Sequence, residues 1–333
     1  MPRVSILLPA RDAAAHLAAA IASLEAQTFS DYEVIAVDDG STDRTGALLA
    51  DWAVRDGRVR VLPGRARGIV AALDAAANAA DGDLLARMDA DDVAHPERLA
   101  RQVALLDSDD SIGACGTRVR YFPRERVRGG ARRYERWLNS LTEPSELERD
   151  LFVECPIAHP ALMMRRVAYE RAGGYQEHGW PEDYDLVLRL HAAGARLANV
   201  PEVLLDWREG EGRLSRTDER YTEFAFQQCK AHHLAATRLA GRDVVVWGAG
   251  PVGKRFARAL ACEQVRVAAF VDVDPRKIGQ TVHGAPVVAP ERIAAFRGYY
   301  VVAAVAGAAA RSEIRAALIA AGRDEITGFC AVA

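Results

Sequence analysis

The sequence predicts an α/β fold in two parts, a larger one with a mostly parallel sheet and a smaller α/β module behind it. Three observations carry this. Short apolar runs rich in Val, Ile and Leu alternate with longer stretches of helical periodicity, the pattern of strands buried beneath covering helices. The alternation pauses after residue 216 and resumes near Gly241, ahead of a glycine-rich turn. Finally, the turns that follow the apolar runs carry Pro, Asp, Gly and Arg, at the strand ends where open parallel sheets collect ligands. At 333 residues, 50% of them hydrophobic, the chain is long and apolar enough for two cores.

The elements follow in order. The run 4–8 ends at Pro9, and Leu17, Ile21 and Leu24 then fall on one helical face. A second strand, 32–37, stops at Asp38, Asp39, Gly40 and Ser41; Ser41 or Thr42 is placed to cap a helix that turns Leu48, Leu49 and Trp52 inward. Residues 59–62 make a third strand and 69–80 a helix. The fourth strand, 84–88, runs into Asp89, Asp91 and Asp92 before His95 and Pro96 announce another helix. His159 and Pro160 precede a strand over 161–164, and Trp180, Pro181, Glu182 and Asp183 open a helix continued by Leu186, Val187, Leu188 and Leu190. A single helix over 217–239, capped by Thr217, links the two parts, so the domains run 1–216, 217–240 and 241–333.

The acidic turn points to chemistry. Three carboxylates within four residues repel one another, and burial would push their protons back on unless a cation relieved the charge. Hard oxygen ligands favour magnesium, manganese or calcium, and a site of one or two carboxylates with open positions suits a phosphate-bearing substrate. A turn that merely caps the next helix is the alternative.

Composition narrows the partners. A formal net charge of -3 gives no global pull toward nucleic acid. No run reaches the roughly 18 to 20 apolar residues of a spanning helix; residues 301–310 read as a strand with its turn. The amino terminus, MPRVSILLPARD, lacks the form of a signal peptide, so a cytoplasmic location is expected. Cys115, Cys155, Cys229, Cys262 and Cys330 are scattered and suggest neither a disulfide framework nor a zinc site.

Together, VSILLPARDAAAHLAAAIASLEAQTFSDYEVIAVDDGSTDRT, ARGIVAALDAAANAADGDLLARMDADDVAHPERL, ECPIAHPALMMRR, GGYQEHGWPEDYDLVLRL and DWREGEGRLS resemble family 2 inverting glycosyltransferases, across residues 2–215. The resemblance implies a GT-A type, nucleotide-sugar-binding domain that moves a sugar from a nucleoside diphosphate, UDP ahead of other bases, to an acceptor hydroxyl. Pro9, Ala10, Arg11, Asp12 and Asp39 would hold the base and ribose, with Arg67 near the base or diphosphate. Asp89 would approach the ribose, and Asp91, with Asp89 beside it, would bind Mg2+ or Mn2+. Asp183 would be the general base, and His159, Trp180 and Glu182 would face the acceptor, a glycan or lipid-linked molecule. Arg208 and Ser215 match a late motif that closes over the diphosphate, although Gly210 stands where many members carry histidine, and Asp12 and Asp74 replace common asparagines. Bacterial surface-polysaccharide or glycolipid synthesis is the setting implied.

Two stretches lie outside this pattern. Residues 118–136 hold eight arginines against Glu125 and Glu135, which suggests a flap for an anionic acceptor or a peripheral contact with the inner face of a membrane; a solvated loop is the alternative. Residues 244–247 form a strand, Gly248, Gly250 and Gly253 a G-x-G-x-x-G turn into a helix, and a second strand, 265–271, ends at Asp272, spaced as an acid that binds a ribose. This is a Rossmann-like pattern similar to small modules found beside sugar-modifying enzymes, with NAD or a nucleotide sugar as candidate ligand. Too few residues follow for a separate substrate domain, and no Tyr-x-x-x-Lys follows Tyr299 or Tyr300, so an accessory role is expected: docking, homodimer formation or nucleotide binding, with an empty fold as the bland reading. The rival functions are an NAD-dependent sugar-modifying oxidoreductase, a nucleotidyltransferase, which PARDAAAHL does not suit, and a non-catalytic carbohydrate-binding protein.

Overall fold

The computed structural model describes residues 1–210, 212–239 and 241–333. Glu211, inside the late motif, and Ala240, at the end of the expected linking helix, lie outside the described residues. In chain order the elements are β1 (Val4–Ala10), α1 (Ala14–Glu25), β2 (Tyr32–Asp38), α2 (Thr45–Arg55), β3 (Val59–Pro63), α3 (Ile69–Ala79), β4 (Leu84–Arg87), β5 (Val93–Ala94), α4 (Arg98–Ser108) and β6 (Ile112–Phe122). There follow α5 (Gly129–Leu138), α6 (Pro144–Asp150), β7 (Met163–Arg165), α7 (Arg166–Arg171), α8 (Glu182–Ala192), β8 (Arg196–Arg208), α9 (Leu214–Thr217) and α10 (Glu223–Leu234). The last third holds β9 (Val244–Trp247), α11 (Pro251–Cys262), β10 (Val267–Val271), β11 (Thr281–Val282), β12 (Ala285–Val288), β13 (Tyr300–Ala303), α12 (Ala308–Ala320) and β14 (Phe329–Ala331).

The chain forms two compact units: Met1–Leu147 with Pro156–His178 and Asp185–Arg216, and Glu148–Cys155 with Gly179–Tyr184 and Thr217–Ala333. In the first, an eight-stranded sheet runs β3-β2-β1-β4-β7-β6-β8-β5. The four leading strands are parallel and almost wholly apolar, because helices must follow each of them to return the chain to the same edge. Leu17, Ile21, Leu24, Leu49 and Trp52 are buried as the periodicity requires. Register then does the positioning: Ala10 pairs with Asp38, Asp38 with Pro63, and Leu7 with Arg87, so the turns after β1, β2, β3 and β4 emerge along one edge. The antiparallel pairing of Val93 in β5 with Asp206 in β8 brings the acidic turn level with Arg208.

Three local expectations are corrected. Ser41 and Thr42 do not cap α2, which begins at Thr45; both are taken up by Asp12 across the edge. The helix expected over 217–239 is broken: Asp218 caps a short 3-10 turn, Thr222 caps α10 by accepting from the Ala225 N–H, and residues 235–239 continue as a π turn. Each cap offers the backbone a hydrogen bond that an uninterrupted helix would not use. The arginine-rich stretch is an ordered strand, turn and helix rather than a loose flap. Val127 and Leu138 are buried in the core, and Arg120 and Arg124 pair with Asp206 and Glu135.

In the second unit a six-stranded sheet runs β11-β12-β10-β9-β13-β14, parallel except for the β11–β12 hairpin. Gly248 (φ +121°) turns the chain out of β9, and a Cβ on Gly253 would stand 1.8 Å from the Gly248 carbonyl oxygen. Both glycines thus serve close helix–strand packing. Segment 148–155 is held in this unit by Lys230, whose Nζ donates to the Val153 and Val332 carbonyls at 2.6 and 3.1 Å, and by the Arg315–Asp150 pair. Gly253→Ala is expected to destabilise the protein by about 1–3 kcal/mol, because the clash is with backbone that cannot yield. Denaturant unfolding would show this, and an unchanged midpoint would contradict the packing role.

Candidate functional site

The shared strand edge of the first unit gathers the predicted donor residues. Asp39, 4% exposed, follows β2 and accepts from the Arg67 and Gly68 backbone N–H groups at 3.0 and 2.8 Å, while its own N–H donates to the Ala10 carbonyl. It fixes the loop after β3 by giving two of its backbone N–H groups a carboxylate acceptor. Gly64 lets this happen, since a Cβ there would lie 2.5 Å from Asp39 Cα. Asp12, at φ +47°, accepts from the Thr42 N–H and hydroxyl at 2.8 and 3.1 Å, and the backbone bond from Thr42 is the main reason its pKa falls. Pro9 is half-buried, Ala10 is buried, and Arg11 and Arg67 are exposed on the same edge.

Beside them stands the acidic turn. One carboxylate oxygen from each of Asp89, Asp91 and Asp92 lies within 4.8 Å of the others. The buried Arg87 guanidinium, at the end of β4, donates to Asp89 at 2.6 Å. Burial works to raise the Asp89 pKa, yet Arg87 above all, with Arg213, brings it below the usual carboxylate range. Asp91 is pushed up to about 6 by burial and by Asp89. Burial, then Asp89 and Asp91, drive Asp92 well above its ordinary value. One Asp92 oxygen accepts from the Arg208 N–H at 2.6 Å, and the other is buried with no hydrogen-bond partner among the described residues. An acceptor without a donor, among carboxylates that repel one another, fits a hard divalent cation, which supplies the missing positive charge to oxygen ligands.

Arginines frame the turn. Arg208 donates from Nε to the Asp91 carbonyl at 2.7 Å and lies over the Phe122 ring. Arg213 stacks on Trp207, itself stacked on Tyr121, and its charge acts on all three aspartates. Ser215 is exposed. His159, buried behind Arg87 and Asp89, has its Nε2 2.9 Å from the Tyr175 hydroxyl; burial and Arg87 hold its pKa near about 3, so the ring is neutral at physiological pH. Sequence reasoning missed Arg87, Arg98 and Arg213. Arg87 alone left a trace, as the one charged residue in the apolar run 84–88.

Trp180, Glu182 and Asp183 belong to the second unit. Trp180 packs against the rings of His232 and His233 at 5.3 and 6.4 Å. Glu182 is buried and accepts from the Tyr221 hydroxyl. Asp183 is pushed up to about 7, by burial first and then by Glu182. Elsewhere in this unit Gly248, Gly250 and Gly253 form the turn ahead of α11. Asp272 closes that turn, accepting from the Ala249 and Asp274 N–H groups and from Lys277 Nζ.

Comparison with known proteins decides the family. Residues 5–173 match the family model described as Glycosyl transferase family 2. The putative glycosyltransferase EpsE of Bacillus subtilis is 31% identical over 226 residues, which span 66% of this chain and 78% of that protein. This chain belongs to glycosyl transferase family 2. The amylovoran biosynthesis glycosyltransferase AmsE of Erwinia amylovora is 30% identical over 58% of the transferase and 71% of its own length. Among solved structures, Staphylococcus aureus TarS 1-349 in complex with UDP-GlcNAc superposes with a TM-score of 0.56 at 17% identity, over 70% of this chain and 66% of that one. The mannosyltransferase PcManGT from Pyrobaculum calidifontis, in complex with GDP-Man and Mn2+, gives 0.50 at 20% identity, over 78% and 69%. These two likenesses concern the GT-A fold. Residues 241–326 of the transferase match a second model, described as C2185-like, N-terminal. Among the described residues no helix is long and apolar enough to cross a membrane.

Asp92→Asn removes a carboxyl whose ionisation burial, Asp89 and Asp91 all oppose. The metal-free variant is expected to melt higher than the parent, while the stabilisation given by Mn2+ shrinks. A thermal melt with and without Mn2+ checks both, and an unchanged Mn2+ response would remove Asp92 from the cation site.

Proposed function

We propose that this glycosyltransferase is metal-dependent and inverting, moving a sugar from a nucleoside diphosphate, UDP ahead of GDP, to an acceptor hydroxyl. The buried Asp92 oxygen beside Asp89 and Asp91, which has no hydrogen-bond partner among the described residues, carries the metal-dependent part of the reading. Asp89 and Asp91 would hold Mg2+ or Mn2+, and the Mn2+-bound mannosyltransferase of the same fold supports divalent metal use. When bound, the cation supplies positive charge that stabilises the departing nucleoside diphosphate.

The chain's own residues do the rest. Pro9, Ala10, Arg11, Asp12 and Asp39, with the loop that Asp39 fixes, hold the nucleoside, and Arg67 and Arg208 add positive charge toward the diphosphate. Asp183 takes the acceptor proton as the acceptor oxygen bonds to the anomeric carbon and the bond to the diphosphate oxygen breaks, which inverts that carbon. A carboxylate raised to about 7 suits a base working near neutral pH. Trp180, Glu182 and neutral His159 are assigned to the acceptor. The relative named for amylovoran biosynthesis supports a setting in bacterial surface polysaccharide or glycolipid assembly.

The exposed Arg126, Arg128, Arg132, Arg133 and Arg136, on the turn before α5 and on its outer face, are assigned to an anionic surface: a lipid-linked acceptor or the inner face of a membrane. Asp272 is given a structural part, since both its oxygens hold groups of its own chain. Docking, homodimer formation or nucleotide-sugar binding remain the roles assigned to the C-terminal module.

Asp91→Ala is expected to abolish Mn2+-dependent binding of UDP and GDP sugars in calorimetric titration. Asp183→Asn should still bind donor, with kcat about 100- to 10,000-fold lower; wild-type turnover would exclude Asp183 as the base. Because the base acts only when ionised, kcat/KM should fall as pH drops below about 7. Glutamate at Arg126, Arg128, Arg132 and Arg133 should weaken binding to anionic vesicles, by about 1 kcal/mol per arginine that lay near the surface, or raise acceptor KM. No change in either would dismiss the arginine face.

A further inference from the structure

Asp183 and Glu182 lie in a segment, Gly179–Tyr184, that folds with chain from beyond residue 216. The Tyr221 hydroxyl, on the short turn Glu219–Tyr221, reaches both Glu182 oxygens, at 2.6 and 2.7 Å. Arg220 on the same turn places a guanidinium nitrogen 3.9 Å from Glu182 and is itself braced at 2.7 Å by Asp218. Trp180 rests on His232 and His233 of α10, and the Tyr184 hydroxyl donates to the Leu151 carbonyl at 2.7 Å. The acidic pair is thus flanked on both sides by side chains anchored to other elements.

We propose that Tyr221 is a positioning residue for the Glu182–Asp183 pair: its hydroxyl clamps Glu182 in place as a fixed negative neighbour, leaving Asp183 as the member that exchanges a proton. This rests on the reading of Asp183 as the base. The hydroxyl is the donor of the contact, because burial, followed by Glu182 and Asp183, raises the Tyr221 pKa and keeps its proton in place. Both Glu182 oxygens are within its reach, so Glu182 is oriented as well as hydrogen-bonded. Among the groups that bear on Asp183 are Glu182 on its own helix, Glu154 from segment 148–155 and the Tyr184 backbone N–H, which donates to Asp183; Tyr221 and Arg220 bear on Glu182. Burial comes first in raising the Asp183 pKa, and Glu182 and then Glu154 add to it, so part of its readiness to hold a proton depends on Glu182 staying charged and near.

The test follows the Asp183 carboxyl by 13C NMR of the full-length protein labelled at aspartate carboxyls, the signal being identified by its loss in Asp183→Asn. In the parent it should titrate near pH 7. In Tyr221→Phe, Glu182 loses its donor and takes up a proton or swings away, so Asp183 should titrate about half a unit or more lower. Glu182→Gln keeps an acceptor for the Tyr221 hydroxyl, removes the charge and should shift Asp183 in the same direction; it serves if Tyr221→Phe does not fold. An Asp183 titration that superposes on the parent in Tyr221→Phe, or in Glu182→Gln, overturns the clamp. The base assignment is judged separately by turnover of Asp183→Asn, so the clamp can fail while the base stands, and the reverse.

Discussion

The guanidinium of Arg87, fully buried at the end of β4 and fixed on Asp89, is the contact on which the acidic turn depends. Taking three carboxylates out of water is unfavourable unless positive charge accompanies them. Arg87 provides part of it from within the sheet, and Arg98, also buried, donates to the Arg87 carbonyl and to Met88 Sδ from the first turn of α4. Arg213 acts from the far side, over Trp207. Burial still drops the Arg98 pKa to about 10 and lifts Asp91 and Asp92, so the arginines leave the cluster underbalanced. A turn of crowded, underbalanced carboxylate oxygens suits a divalent cation.

The neighbouring loops are prepared by the same means. Asp39 and Asp12 do not simply project into a crevice; each uses carboxylate oxygens to hold backbone N–H groups or a hydroxyl of an adjoining loop. Their first effect is therefore on loop shape. A nucleoside phosphate meeting that edge finds loops already ordered, so less conformational entropy is lost on binding.

The second unit draws on distant parts of the chain. Lys230 is buried against two carbonyls more than 70 residues away, Val153 and Val332, and burial lowers its pKa. Arg238 donates to the Glu148 carbonyl and stacks on Phe152. Segments 148–155 and 179–184, which the sequence resemblance assigns to the transferase region, thus take their packing from residues that the resemblance does not reach. Residues beyond 216, from Lys230 and Arg238 to Arg315 and Val332, thus support segment 148–155 directly.

The sequence by itself determined the alternation of strands and helices, the parallel edge and the acidic turn. These follow from apolar periodicity and from residue types close together in the chain, and both are local properties. It also placed Gly248, Gly250 and Gly253, whose spacing encodes a turn. Tertiary structure alone decided which charges are buried. Arg87 and Arg98 read as ordinary arginines in a chain with 43 basic residues, and only the strand register and the packing of α4 put them under the acidic turn. Tyr221 was hidden for a related reason: the residues after 216 read as one helix, whereas Asp218 and Thr222 cap separate short elements and turn Tyr221 toward Glu182. A hydrogen bond spanning 39 residues leaves no periodic trace, because it is selected by the energy of burying Glu182 and not by any pattern in its neighbours.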